Sequence, residues 1–77
     1  MLSQEEKNRF YAFHNELLEG YATYLSGDRN LLFRMKELWT WWSVQFIGQE
    51  KILKQIKKTN NLNEYQILVK KLVDVSE

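Results

Sequence analysis

Lys51, Lys54, Lys57 and Lys58 fall within eight residues that contain no acid, and this is the pattern in the chain with the plainest chemical use. A solvated helix face usually mixes both signs of charge, whereas an unpaired basic stripe tracks phosphates and releases their counterions. Arg29, Arg34, Lys36, Lys70 and Lys71 add to the same portion of the chain. Arg34 and Lys36 would stand about 160° apart on an ideal helix, so one fixed phosphate does not bridge both. His14 lies between Phe10 and Leu18 with no Ser, Cys or second His nearby. It reads as a buried structural histidine, hydrogen-bonded to a tyrosine or a backbone group, rather than a catalytic one. Glu5, Glu6, Glu16 and Glu19 belong to solvent-facing arcs or to a first helical turn, where acids complement the helix dipole. No phosphate loop, dinucleotide fingerprint or metal-ligand spacing occurs, so a self-contained enzyme is not expected.

The run Trp39-Thr40-Trp41-Trp42 cannot turn all its indoles to one core. Trp39 and Trp42 share an apolar arc, Trp41 projects away from it, and Phe33 and Val44 are expected to form a second apolar patch. Such two-sided hydrophobicity marks either a central, well-covered helix or one with a face for a partner, and in so small a domain the partner face is the expected reading. Stacking of Trp41 on a base is the other use of an exposed indole.

The chain has 77 residues, eleven of them aromatic, with no cysteine, no proline and a net charge of +1. That length fits one domain spanning 1–77, small enough to depend on each large side chain for its core. Without cysteine there is no disulfide framework, thiolate metal site or cysteine nucleophile, and a lone histidine builds no His-rich zinc site. The charged N-terminus is unlike a signal peptide, and the uncharged stretch from Leu38 to Gln49 falls short of the ~20 apolar residues of a membrane span. A cytoplasmic protein without a membrane partner is expected. Residues 1–28 sum to −3 and residues 29–77 to +4, so the basic portion is the candidate for an anionic partner.

These residues must be positioned by helices, since the only breaks are Ser26-Gly27-Asp28, Ile47-Gly48-Gln49 and Thr59-Asn60-Asn61. The first helix opens at Ser3 with Glu6 at capping-box spacing and runs to about Ser26, with Gly27 at its C-terminus. Its apolar side is Phe10, Phe13, Leu17, Leu18, Tyr21, Tyr24 and Leu25. Asn15, Glu16, Glu19 and Thr23 face away. The second runs from Asp28 or Asn30 to near Gly48 on a stripe of Leu31, Leu32, Met35, Leu38, Trp39, Trp42 and Phe46. The third, from about Gln49 to Lys58, turns Ile52, Leu53 and Ile56 inward. The fourth opens at Asn61, with Glu64 completing a capping box, and presents Leu62, Tyr65, Leu68, Val69, Leu72 and Val73. Short connections favour antiparallel neighbours, so the expected fold is all-α, a small up-down bundle of four helices.

From Tyr21 to Lys71 the chain resembles the C-terminal helical domain of bacterial tRNA-dihydrouridine synthases. The likeness rests on Arg34-Met35-Lys36 followed by Trp39 and Trp42, then a gap with Gly48, a lysine-rich helix, and a closing helix entered through Asn61-Leu62-Asn63-Glu64-Tyr65. Glu37 departs from the polar or basic residue that relatives often carry. In that family an FMN-binding TIM barrel reduces a uridine of tRNA with NADPH, and the helical domain helps to hold the tRNA. A barrel takes on the order of 250 residues, so the resemblance implies a separated fragment without the catalytic cysteine or flavin-binding groups. FMN and NADPH would belong to the parent enzyme and no cofactor to the fragment. The resemblance further implies tRNA contacts at Arg29, Arg34, Lys36, Lys51, Lys54, Lys57 and Lys58. The absent barrel or an adjacent helix would cover Phe33, Trp41 and Val44, and the isolated domain would weakly self-associate through that patch. The alternative is a helical protein-interaction module whose lysines serve solubility.

Overall fold

The computed structural model describes residues 2–74, which form four α-helices and no strand. They are α1 (Gln4–Tyr24), α2 (Asp28–Trp42), α3 (Glu50–Lys58) and α4 (Leu62–Asp74), with a 3-10 turn over Ser43–Gln45 after α2. The expected all-α bundle is what forms. Cross-helix partners fix the directions. Phe10, His14 and Tyr21 of α1 meet Trp42, Trp39 and Arg34 of α2 in reverse order, so these helices are antiparallel. Gln4 at the start of α1 donates to the Val73 carbonyl at the end of α4, while His14 meets Tyr65 near its start, so α1 and α4 are also antiparallel. Helix α4 packs against each of the other three.

Local chemistry sets the ends. Ser3 accepts the Glu6 N–H while the Glu6 carboxylate accepts the Ser3 N–H at 2.8 Å, a complete capping box. That bond to the Ser3 backbone holds the Glu6 carboxyl below its usual range. Helix α1 stops at Tyr24, short of Ser26, and Leu25 turns extended at φ −94° to tuck partly into the core. Gly27, expected to close α1, instead caps the start of α2 at φ 89°, ψ 146°, a conformation that is nearly glycine-only. An added Cβ there meets nothing within 4 Å, so only backbone strain opposes it. Gly27→Ala is therefore expected to lower stability by about 1–3 kcal/mol in a denaturant titration, with helix content unchanged.

Helix α2 ends at Trp42 rather than near Gly48. The Phe46 N–H bonds to the Ser43 carbonyl at 3.1 Å, and this tighter turn swings Phe46 into the core. There Phe10 meets Trp39, Trp42 and Phe46 at centroid separations of 5.2–5.6 Å, edge-on in each case. Such pairs add about 0.5–1.5 kcal/mol each beyond their buried area. Around them pack Leu31, Leu32, Met35, Leu53, Ile56, Leu68, Val69 and Leu72, all from the expected stripes.

Helix α1 is rotated from its expected setting. Phe13 and Tyr24 are 51% and 86% exposed, whereas Lys7 and His14 join Leu18 as its buried residues. At about 100° per residue, positions 7, 14 and 18 fall on one line. The core accepts the imidazole on that line, as its place between Phe10 and Leu18 predicts, because His14 finds a hydrogen-bond partner across the bundle.

Candidate nucleic-acid interface

The α3 lysines owe their exposure to the residues between them. Leu53 and Ile56 are buried and Ile52 half-buried, which turns Lys51, Lys54, Lys57 and Lys58 outward over an arc of about 120°. Among the described residues none of the four has an ion-pair partner. Lys57 and Lys58 also occupy the last turn, where cations complement the helix dipole. Lys54 and Lys57 border a depression of about 400 Å3 whose other walls include Val44 and Ile47, 71% and 64% exposed. Ile47 was not among the expected surface residues. Its position beside Gly48 in a turn was the available signal, because an apolar residue there has no helix face to share.

The remaining cations are dispersed. Arg29 is exposed and lines a depression of about 680 Å3 with Phe33, Lys36 and Asn60. Lys36 is half-buried, and its Nζ donates to the Thr59 carbonyl at 2.9 Å, closing the C-terminal end of α3. An ammonium has three donors, so two remain for a ligand. Arg34 points to the opposite side. It pairs with Glu37 at 3.1 Å, and its guanidinium lies over the Tyr21 ring, 5.3 Å from the centroid. The Glu37 hydrogen bond, with Tyr21 beside it, pushes the Arg34 pKa up. The two members of the Arg34-x-Lys36 pair thus serve different surfaces, as their spacing predicts.

The apolar residues do not form the single patch expected of them. Phe33, Trp41 and Val44 are 69%, 75% and 71% exposed, but Phe33 and Val44 border different depressions. Eleven residues at 1.5 Å rise separate them by about 16 Å along an ideal helix, and the chain leaves α-helical geometry after Trp42.

The link from α3 to α4 is tied by a relay that differs from the expected box. Asn61 Oδ1 accepts the Glu64 N–H at 2.9 Å, as a cap should. The Glu64 carboxylate, however, takes the Thr59 hydroxyl rather than the Asn61 N–H, and the Thr59 oxygen accepts that N–H at 3.2 Å. Lys36 and Glu64 therefore hold the Thr59 junction from both sides.

Beneath these surfaces runs a buried polar chain. Trp39 Nε1–H donates to Tyr65 Oη at 2.8 Å, and Tyr65 Oη lies 2.7 Å from His14 Nε2. The indole can only donate, so the buried phenol's own proton finds its acceptor in His14 Nε2. Then Nδ1 carries the imidazole proton and donates to Asn15 Oδ1 at 3.0 Å. Burial holds the His14 pKa below its ordinary value, opposed by the Asn15 bond, and burial raises that of Tyr65. His14 is thus the tyrosine-bonded core histidine that its setting predicts.

Among the described residues, no three His, Cys, Asp or Glu side chains gather as a metal site, and no helix is long and apolar enough to cross a membrane. No protein-family model, curated protein or solved structure matches the chain.

Proposed function

We propose that this chain is the tRNA-binding helical module of an FMN-dependent tRNA-dihydrouridine synthase, a fragment that holds folded tRNA while a barrel elsewhere in the parent chain reduces a uridine with NADPH. The observation that carries the reading is the exposed lysine face of α3, unpaired among the described residues. Four cations at helical spacing present a row of positive charge to a phosphate backbone, and folded RNA is held largely by shape and backbone. The motif order from Arg34 to Tyr65 supplies the family. In this reading Lys51, Lys54, Lys57 and Lys58 take phosphates, with Arg29, Arg34 and the free donors of Lys36 as outlying contacts. Trp41 and Val44, with Ile47, form the surface toward the barrel. FMN and NADPH belong to that barrel, and no residue of this chain is assigned to them.

The test is a tRNA titration of the chain at several salt concentrations, repeated with Lys54→Glu/Lys58→Glu. These side chains are exposed, so the variant should keep its fold, as circular dichroism will check. Affinity should fall steeply with salt, and the log–log slope should be shallower by about 2 in the variant. No binding at low salt, or equal slopes, would overturn the α3 interface.

A second reading has its own observation. Exposed Trp41, Val44 and Ile47 suit a helical protein-interaction module. It predicts capture of a protein partner with little salt dependence and no affinity for tRNA.

A further inference from the structure

Away from the α3 lysines, the α1–α2 hairpin carries rings on its outer surface. Tyr24 and Phe33 are 86% and 69% exposed, and both line one depression of about 430 Å3 together with Tyr21, Asn30 and Arg34. The Arg34 guanidinium is steadied there by Tyr21 beneath it and by Glu37 beside it, yet half of its side chain stays exposed. It is a flat cation held in place next to free rings. Phe33 also lines the neighbouring depression, where Arg29 and Lys36 sit with Asp28 and leave that side net positive. Phe33 is therefore a ridge with planar groups on one flank and cations on the other. Asn30 Nδ2 donates to the Ser26 carbonyl at 2.9 Å, which leaves its Oδ1 as an acceptor at the rim.

Unpaired bases stack on aromatic rings and on guanidinium planes, while flanking cations take the phosphates. A paired base in a duplex offers no such face. We propose that Tyr24, Phe33 and Arg34 form a stacking site for one unpaired nucleobase of an RNA, with Arg29 and Lys36 receiving the adjoining phosphate. The proposal rests on the RNA-binding reading above but uses residues separate from its α3 face.

The experiment follows the Tyr and Phe ring resonances of the chain by NMR during titration with a five-residue oligouridylate, an abasic strand of the same length, and a short RNA duplex. The oligouridylate should move the Tyr24 and Phe33 ring signals upfield, and the abasic strand and duplex should not. Tyr24→Ala and Phe33→Ala should each weaken oligouridylate binding about tenfold or more, with the salt slope unchanged. Equal shifts with the abasic strand, or wild-type affinity in both variants, overturn the site. Ring shifts that depend on protein concentration without RNA also overturn it, in favour of a second copy of the chain. If tRNA binding keeps its Lys54 and Lys58 dependence while both ring variants bind normally, only the stacking site fails. If oligouridylate stacks while the lysine reversal leaves tRNA binding unchanged, only the α3 interface fails.

Discussion

Tyr65→Phe is expected to lower the unfolding free energy by about 2–6 kcal/mol, although it removes a single oxygen. That oxygen accepts the Trp39 indole N–H at 2.8 Å and serves His14 Nε2 at 2.7 Å, and all three side chains are essentially inaccessible to water. Without it a buried donor and a buried acceptor are both left unpaired, each at about 1–3 kcal/mol. No described side-chain polar atom in the core is otherwise unsatisfied, so no spare group stands ready to replace the hydroxyl. A domain of this length has on the order of 4–11 kcal/mol in total. The substitution thus removes a large share of the fold's stability, and the melting temperature should drop by roughly 10 °C or more. Urea unfolding checks this as a lower midpoint at unchanged m. Tyr24→Phe, at an exposed ring, is the reference and should stay within about 0.5 kcal/mol of the parent chain. A Tyr65→Phe chain as stable as that reference would show that the hydroxyl is not what joins α1, α2 and α4.

How much of this was legible beforehand differs between residues. The stripe of Leu31, Met35 and Trp39 and the pair Ser3 and Glu6 carry their meaning within a few positions, and they sit as predicted. The burial of His14 was legible from its place between Phe10 and Leu18, whereas the setting of α1 around it was not, because hydropathy ranks Phe13 and Tyr24 above Lys7. What holds the imidazole inward is the bond to Tyr65, 51 positions away in sequence. Lys36 shows the same limit at the surface. As a lysine near Arg34 it reads as a phosphate contact, and only the arrival of Thr59 at the end of α3 reveals the carbonyl it caps. The character of the α3 lysines was visible from composition alone, since exposure follows from Leu53 and Ile56 pointing the other way. Grouping was not visible. Phe33 and Val44 share an azimuth on an ideal helix, but distance along the axis and the 3-10 turn part them.

Acidification from pH 7 to pH 5 should destabilise the fold by a route that the polar chain defines. The native tautomer has Nδ1–H toward Asn15 and a bare Nε2 facing the Tyr65 proton. A second proton on the ring would set two donors against each other across a 2.7 Å contact, with the phenol oxygen already engaged by Trp39. Burial, the larger influence, likewise keeps the native His14 pKa below the ordinary 6.5. Above that value neither state is protonated, and stability is flat. Below it the unfolded chain binds a proton that the native state refuses. Stability then falls with pH at up to about 1.4 kcal/mol per unit until the lowered native pKa is reached. Glu19 and Lys70 line the groove beside His14. The Glu6 carboxyl is also lowered, but it adds its loss only where carboxylates titrate. At the alkaline end the sign reverses. Burial raises the Tyr65 pKa, so above about pH 10 the unfolded tyrosine ionises first and stability falls as pH rises. Since the chain contains one histidine, the imidazole contribution to the acid limb belongs to His14. His14→Gln keeps an acceptor for Tyr65 but has nothing to titrate, and should give a flat urea midpoint from pH 7 to pH 5. A sloping midpoint in that variant, or a flat one in the parent chain, would remove His14 from the acid response and with it the tautomer assigned to the core.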